Sequence, residues 1–185
     1  MFFRDRIEAV LLPHVPSLLK DEEPIPLYAL KMLIAVLDFY PELTEPVAAL
    51  GLATEFFQFL SLDHPNNNVH NLRLCRAMVA AESVDTELVL ALGAVERAGT
   101  VLCYACENMV EAFIEPSLEL CAAIIARITH SADHKGLRDM RDACVGVLRK
   151  LGSHGDVGVA DMARQCAQAL DSWASSEAVR PLVTN

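Results

Sequence analysis

Residues 72–80 read LRLCRAMVA, and residues 118–126 read LELCAAIIA. The two stretches carry leucine, leucine, cysteine and four further apolar residues at matching positions, 46 residues apart (118 − 72). Both show the 3.6-residue periodicity of an amphipathic helix. Recurrence of a helical segment after about 40–47 residues is typical of chains that stack pairs of helices. The sequence therefore predicts a stack of helical pairs.

A shorter similarity relates the last two predicted helices, whose apolar positions recur after 22 residues (159 − 137). The first set is Leu137, Met140, Cys144, Val147 and Leu151, and the second is Val159, Met162, Cys166, Ala169 and Trp173. No segment shows a sustained strand-like alternation. We predict an all-α fold, a right-handed α-solenoid of armadillo/HEAT-like helical pairs, with a compact helical bundle as the alternative. A solenoid would be elongated, because each pair contacts only its neighbours.

Proline, glycine and polar breaks set the predicted helix boundaries. We expect helices at 2–12, from the 21–26 turn to Pro41, and at 46–60, 69–81, 86–98, 100–114, 116–130, 136–151 and 156–173. The 46–60 segment is either one helix bent at Gly51 or two short helices. Residues 88–95 should be sandwiched, because they are apolar nearly all round. Residues 1–175 are expected to form a single helical-repeat domain, and 176–185 a frayed tail.

Composition narrows the class of protein. The 185 residues are 53% apolar but only 6% aromatic, with a mean hydropathy of +0.30, which suits helices packed on helices. The net charge of −10 speaks against nucleic acid and anionic membranes as main partners. No apolar run approaches the roughly 20 residues of a membrane span. Charges at Arg4, Asp5 and Arg6 do not fit a signal peptide, so we expect a cytoplasmic protein.

Several cysteines and histidines of the sequence could in principle bind a metal ion. The six cysteines fall mostly on apolar helix faces, which is typical of reduced core residues. The strongest metal-like pattern is Cys103-x-x-Cys106 followed by His130-x-x-x-His134, because these residue types bind zinc. The distance between the two pairs exceeds that of a zinc finger. These four residues are therefore only weak metal candidates, and no metal or cofactor is predicted.

Catalytic motifs are missing from the sequence. There is no glycine-rich phosphate loop, no Gly-x-Ser-x-Gly elbow and no His-Glu-x-x-His, so no catalytic residue is predicted. An acidic set spaced four residues apart is either a solvated face or a patch for a basic partner segment. A loop of three asparagines is either a solvated turn or part of a binding face. These partner-binding candidates are Glu107, Glu111 and Glu115, and Asn66, Asn67 and Asn68.

The segment 11–33, LLPHVPSLLKDEEPIPLYALKML, resembles a known family. It is similar to the armadillo-type C-terminal region of the Fused-branch Unc-51-like kinases, which include the Runkel type. The rest of the chain matches that family only in general helical character. The kinase motifs Val-Ala-Ile-Lys, His-Arg-Asp and Asp-Phe-Gly are missing. The resemblance implies a regulatory repeat region of a kinase or pseudokinase, with any kinase activity in a domain absent from this chain.

Three functional hypotheses follow. The first is a non-catalytic scaffold that binds other proteins, such as a basic or amphipathic segment; the resemblance implies microtubule- or cilium-linked signalling. The second is an all-helical enzyme or small-ligand binder with an inter-helix pocket, with candidates Tyr28, His64, His70, Cys103, Tyr104, Cys106 and His130. The third is intrachain or homo-oligomeric packing at the ends of the solenoid, involving residues 1–3 and Trp173.

Overall fold

The structure is a computed structural model that describes residues 3–131 and 133–179, with 177–179 described by their backbone alone. Every regular element in these ranges is a helix, which confirms the all-α prediction. The α-helices are α1 (Phe3–Arg6), α2 (Val15–Leu18), α3 (Ile25–Phe39), α4 (Thr44–Ala48), α5 (Ala53–Phe59), α6 (Val69–Ala80), α7 (Thr86–Ala91), α8 (Ala94–Glu107), α9 (Glu111–His130), α10 (His134–Leu151) and α11 (Val157–Val179). None of the described helices is long and apolar enough to cross a lipid bilayer.

Two compact units make up the chain, Met1–Leu92 and Gly93–Asn185. The prediction that 1–175 is one domain therefore stays a prediction. Helix α11 continues to Val179, past the predicted boundary at 175. The rest of the predicted frayed tail, 180–185, lies outside the described residues.

The first unit begins with a winding helical run rather than one regular helix over 2–12. A π-helical turn (Ile7–Leu11) and a 3₁₀ turn (Leu12–His14) join α1 to α2. Pro13 and Pro16 lack the backbone N–H that an α-helix needs at these positions, so the hydrogen-bonding pattern changes here. In the same unit α3 packs against α2 and α6, and α6 also packs against α4 and α5.

Two short helices, α4 and α5, occupy the 46–60 segment, which confirms one of the two alternatives. Gly51 lies between them with φ = +74°, a left-handed conformation that a residue with a Cβ rarely adopts. Asp85 is the N-cap of α7, and its carboxylate accepts a hydrogen bond from Leu88 N at 2.7 Å.

The boundaries predicted between 86 and 130 are wrong. Gly93, with φ = +69°, separates α7 from α8, so no helix spans 86–98. Gly99 lies inside α8 instead of ending a helix, and Pro116 lies inside α9 instead of starting one. The predicted sandwiching of 88–95 also fails in its first half, because Leu88 is exposed.

The second unit packs α8 on α9 and α10, and α11 on α9 and α10. Within this unit, helix α9 has the same pattern of buried positions as α6 in the first unit. The matching positions are Leu72, Leu74, Cys75, Met78 and Val79 in α6, and Leu118, Leu120, Cys121, Ile124 and Ile125 in α9; all ten are buried. This confirms the 46-residue similarity at the level of packing. The 22-residue similarity also appears in the packing, although it shifts by one residue near its end. Leu137 and Val159, and Cys144 and Cys166, are buried; after them Leu148 and Leu170 are buried in place of Val147 and Ala169.

Candidate interaction surfaces

Helices α3 and α6 lie side by side in the first unit. Lys31 of α3 acts electrostatically on His70 of α6, and farther along Arg73 donates to Asp38 at 2.6 Å. We call this surface the α3–α6 face, and define it by Tyr28, Lys31, Ile34, Asp38, Phe39, His70, Arg73, Arg76 and Ala77.

A groove of about 250 Å³ lies between the two helices on this face. It is lined by Ile34, Leu37, Asp38, Pro41, Thr44, Arg73, Arg76, Ala77 and Ala80. Ile34 and Leu37 are buried and supply apolar surface, while the arginines and Asp38 supply charge. Small-molecule pockets usually measure about 300–1,000 Å³. The groove is therefore better suited to a single side chain of a partner than to a metabolite.

The α3–α6 face carries charged side chains of both signs. They are Lys31, Arg73, Arg76 and Asp38, and Arg73 pairs with Asp38. Burial lowers the pKa of the His70 imidazole, and the charges of Lys31 and Arg73 lower it further. Glu45, on the neighbouring helix α4, accepts hydrogen bonds from the backbone N–H groups of Glu82 and Ser83, at 2.7 and 3.1 Å.

Exposed aromatic residues extend the same face along α3. Tyr28 is 60% exposed and Phe39 is 83% exposed. They are eleven residues apart, which is close to three helical turns and places them on one side of the helix. The Lys31 Nζ lies 5.6 Å from the centre of the Tyr28 ring, a cation–π distance.

A second groove, of about 580 Å³, lies between α10 and α11 in the second unit. Arg149 donates to both carboxylate oxygens of Asp171, at 3.0 and 2.9 Å, and this bond is the main cause that lowers the pKa of Asp171. Arg164, also in the lining, donates to the Gly152 carbonyl and to Asp161. Each of these arginines already has a carboxylate partner, so the groove is polar but balanced in charge.

The acidic set predicted to bind partners does not share one helical face. Glu107 ends α8 and Glu111 begins α9, and Met109 between them has φ = +53°, which ends the helix. With Glu115, all three carboxylates are exposed around the α8–α9 turn. Glu111 lies 3.7 Å from the His154 imidazole. Their role as a patch for a basic partner stays a prediction.

The asparagine loop has structural hydrogen bonds. Asn66 is buried, and its Nδ2 donates to Glu23 Oε1 at 2.6 Å. Asn68 is the N-cap of α6, where its Oδ1 accepts from the backbone N–H groups of His70 and Asn71. These contacts stabilise the loop itself. Asn67, between these two residues, is half-buried.

Each of the four weak metal candidates has its own position and contacts in the second unit. Cys103 donates from Sγ to the Ala143 carbonyl at 3.7 Å, and burial raises the pKa of both Cys103 and Cys106. His130 ends α9, while His134 accepts from Trp173 Nε1 at 3.0 Å. Within 3–131 and 133–179, no three His, Cys, Asp or Glu side chains are placed to hold a metal ion.

Burial also acts on the core thiols of the second unit. It raises the pKa of Cys144 to about 12 and that of Cys166 to about 11. The thiolate is the form that binds metals and attacks disulfides, so these cysteines have the character of inert core residues.

The seven residues proposed for a small-ligand pocket do not line either groove. Tyr28, His64 and His70 belong to the first unit, and His64 stacks on Phe59 with ring centres 4.6 Å apart. Cys103, Tyr104, Cys106 and His130 belong to the second unit.

The residues suspected of end-to-end packing differ in exposure. Phe3 is 70% exposed, whereas Trp173 is half-buried and bonded to His134. Residues 1 and 2 lie outside the described part of the chain.

The sequence alone does not predict the α3–α6 face. A signal exists in the spacing, because Lys31 and Asp38 lie on one side of α3, and Arg73 and Arg76 are close on α6. Their meeting depends on the packing of two helices whose centres are more than 40 residues apart, which the periodicity of each helix does not specify.

Comparison with known proteins supports the repeat assignment. Residues 52–140 match the RUNKEL ARM-repeat domain, and residues 3–45 match the HEAT repeats of ULK4-like serine/threonine-protein kinases. The chain is 29% identical, over 203 aligned residues, to the serine/threonine-protein kinase RUNKEL of Arabidopsis thaliana. That alignment covers 94% of this chain and 15% of the relative.

These matches extend the similarity well beyond the 11–33 segment. They correct the expectation that the remainder resembles the family only in general helical character. The matched regions are repeat regions of kinases and not catalytic domains. The fold class is thus an all-α array of armadillo/HEAT-type helical repeats, and the chain is similar to the repeat regions of the RUNKEL and ULK4-like kinases.

Proposed function

We propose that this chain is a non-catalytic protein-interaction scaffold, the repeat region of a kinase- or pseudokinase-type protein. The observation that carries the proposal is the α3–α6 face, an exposed groove bordered by charged and aromatic side chains. Stacked helical repeats commonly bind partner segments along surfaces of parallel helices. The matches to repeat regions of kinases support the same function.

The proposed setting is signalling linked to microtubules or cilia, in the cytoplasm. It rests on the similarity to RUNKEL and to the ULK4-like kinases, of which this chain spans a repeat region. In this setting the scaffold would place partners near a kinase or pseudokinase domain.

Affinity purification from cell extract with quantitative mass spectrometry tests the scaffold proposal. The bait is the whole chain, compared with a Lys31→Glu/Arg73→Glu variant that reverses two charges on the α3–α6 face. The matched control is Arg138→Glu/Lys150→Glu, which makes the same charge change at two exposed positions of α10. We expect specific partners to be retained by the wild type and the control and lost from the first variant. Partners that bind all three baits equally would contradict this assignment of the face.

A further inference from the structure

We infer that Glu23, Asn66 and Asn67 form a binding site for a hard divalent cation, Ca²⁺. Glu23 lies in the turn between α2 and α3, and the two asparagines lie in the loop between α5 and α6. A cation bound here links the segments that lead directly into α3 and α6. The inference concerns the first unit alone and does not depend on the proposed scaffold function.

The turn and the loop meet at Asn66. This residue is only 2% exposed, and its Nδ2 donates to Glu23 Oε1 at 2.6 Å. Its backbone N–H donates to His64 Nδ1 at 3.1 Å, and the His64 ring stacks on Phe59. The bond to the Glu23 carboxylate fixes the orientation of the amide, because the flipped amide would place two oxygens against each other.

Two amide oxygens of this loop are buried without a hydrogen-bond donor. They are the Oδ1 atoms of Asn66 and Asn67, and no residue that the structure describes donates to either. The next asparagine differs, because Asn68 Oδ1 accepts from the backbone N–H groups of His70 and Asn71. Buried polar atoms normally have a partner, since leaving one without any is unfavourable. The two oxygens therefore indicate a ligand.

The charge around these oxygens favours a cation as that ligand. Glu23 brings one carboxylate into contact with Asn66. The same turn and loop carry three further exposed carboxylates, Asp21, Glu22 and Asp63. Among the residues that the structure describes, none of these four acidic side chains forms an ion pair, and the neighbouring Lys20 pairs with Glu55 at 3.4 Å. The carboxylates also offset the positive ends of the dipoles of α3 and α6.

The donor atoms select the type of cation. The site offers one carboxylate and two neutral amide oxygens, and Ca²⁺ accepts such oxygen ligands in irregular geometry and completes its coordination with water. Mg²⁺ demands a near-ideal octahedron and loses its water reluctantly. With a single acidic ligand, the site is not one of the groups of three His, Cys, Asp or Glu side chains that are lacking in the described ranges.

Isothermal titration calorimetry with CaCl₂ tests the inference on the whole chain after treatment with EDTA and dialysis. We expect one Ca²⁺ per chain with a Kd of about 10⁻⁴–10⁻³ M, the range of sites with few charged ligands. MgCl₂ should bind about tenfold or more weakly. In thermal unfolding, Ca²⁺ at about ten times its Kd should raise the Tm by about 2–4 °C.

Variants locate the site. Glu23→Gln removes the charge but keeps an oxygen that accepts from Asn66 Nδ2, and Asn67→Ala removes one of the two buried oxygens. Each should weaken Ca²⁺ binding about tenfold or more. The matched control is Glu87→Gln, which removes the same charge from an exposed position of α7 in the same unit and should leave the Kd unchanged. Asn67→Ala should not lower the Tm of the calcium-free protein, because it removes an oxygen that lacks a donor.

Three results would overturn the inference. The first is no binding heat at Ca²⁺ concentrations about ten times the expected Kd range. The second is equal binding by the wild type, Glu23→Gln and Asn67→Ala. The third is an equal loss with Glu87→Gln, which would show a diffuse attraction of cations to an acidic chain. Failure of the scaffold proposal is distinguished from all three, because the purification described above measures partners and not calcium.

Discussion

Gly99 lies in the middle of α8, facing Ala143 on α10. A Cβ atom at residue 99 would lie 3.0 Å from the Ala143 Cβ, closer than carbon atoms pack. The missing side chain therefore allows the two helices to approach. A glycine in a helical pattern normally indicates a weak point or an end, so the sequence predicts a helix boundary at Gly99. Only the neighbouring helix, more than 40 residues away, gives it its actual role.

The close approach of α8 and α10 predicts that a larger residue at position 99 destabilises the protein. Gly99→Val should destabilise the protein by about 1–3 kcal/mol, because the added methyl groups force α8 and α10 apart. Gly146→Ala on α10 is the matched control, since no atom lies within 4 Å of an added Cβ there. The control should be neutral or stabilising by up to about 1 kcal/mol, from helix propensity alone. Urea unfolding measures both, and a stable Gly99→Val variant would contradict the close approach.

The lowered pKa of His70 predicts that the stability of the fold decreases at acidic pH. Burial, Lys31 of its neighbouring helix and Arg73 of its own helix all disfavour the imidazolium, and Asp38 is the nearby carboxylate that pairs with Arg73. The unfolded chain then binds the proton more readily than the folded one. Stability contributed by neutral His70 is fully present above the ordinary histidine pKa of about 6.5, and it is lost as the pH falls below that value through the lower pKa of the folded state.

Comparison with a variant isolates this residue from the other histidines. His70→Gln should lose less stability than the wild type between pH 7.5 and 5.5 or so, a range that brackets the ordinary pKa. The measurement is the free energy of unfolding in urea at each pH. Equal pH dependence of the two proteins would show that His70 titrates normally in the folded state.

At the scale of helices, the turn between α8 and α9 differs most from the sequence prediction. Met109 adopts φ = +53° and is 80% exposed. A left-handed conformation costs a residue with a Cβ about 1–2 kcal/mol. Methionine favours helices, so the four-residue spacing of Glu107 and Glu111 predicts one continuous helix. Asn108 is the one local signal of a turn, because asparagine is common at helix ends.

Replacement of Met109 tests the strain at this turn. Met109→Gly should stabilise the protein by up to about 1 kcal/mol, because glycine adopts the conformation freely and little buried surface is lost. Met109→Val should destabilise it, since a branched Cβ fits this conformation poorly. Thermal unfolding of the three proteins orders their stability. An order with valine above glycine would contradict the left-handed turn.

At the scale of the whole molecule, internal repetition predicted the fold class. The 46-residue similarity holds because the same five positions are buried in α6 and α9. Net charge is an average over the chain, whereas binding depends on the local potential. The cations of the α3–α6 face are a small part of the composition, and the packing of α3 on α6 places them together.

The four lysines of the chain provide the most direct test of the central claim that the α3–α6 face binds the partner. They are Lys20, Lys31, Lys135 and Lys150, and of these Lys31 alone belongs to the face. An amine-reactive cross-linker applied to the chain with its captured partners, followed by mass spectrometry, shows which lysine lies near each partner. We expect the cross-links to concentrate on Lys31. Cross-links at Lys20, Lys135 or Lys150 with none at Lys31 would contradict it.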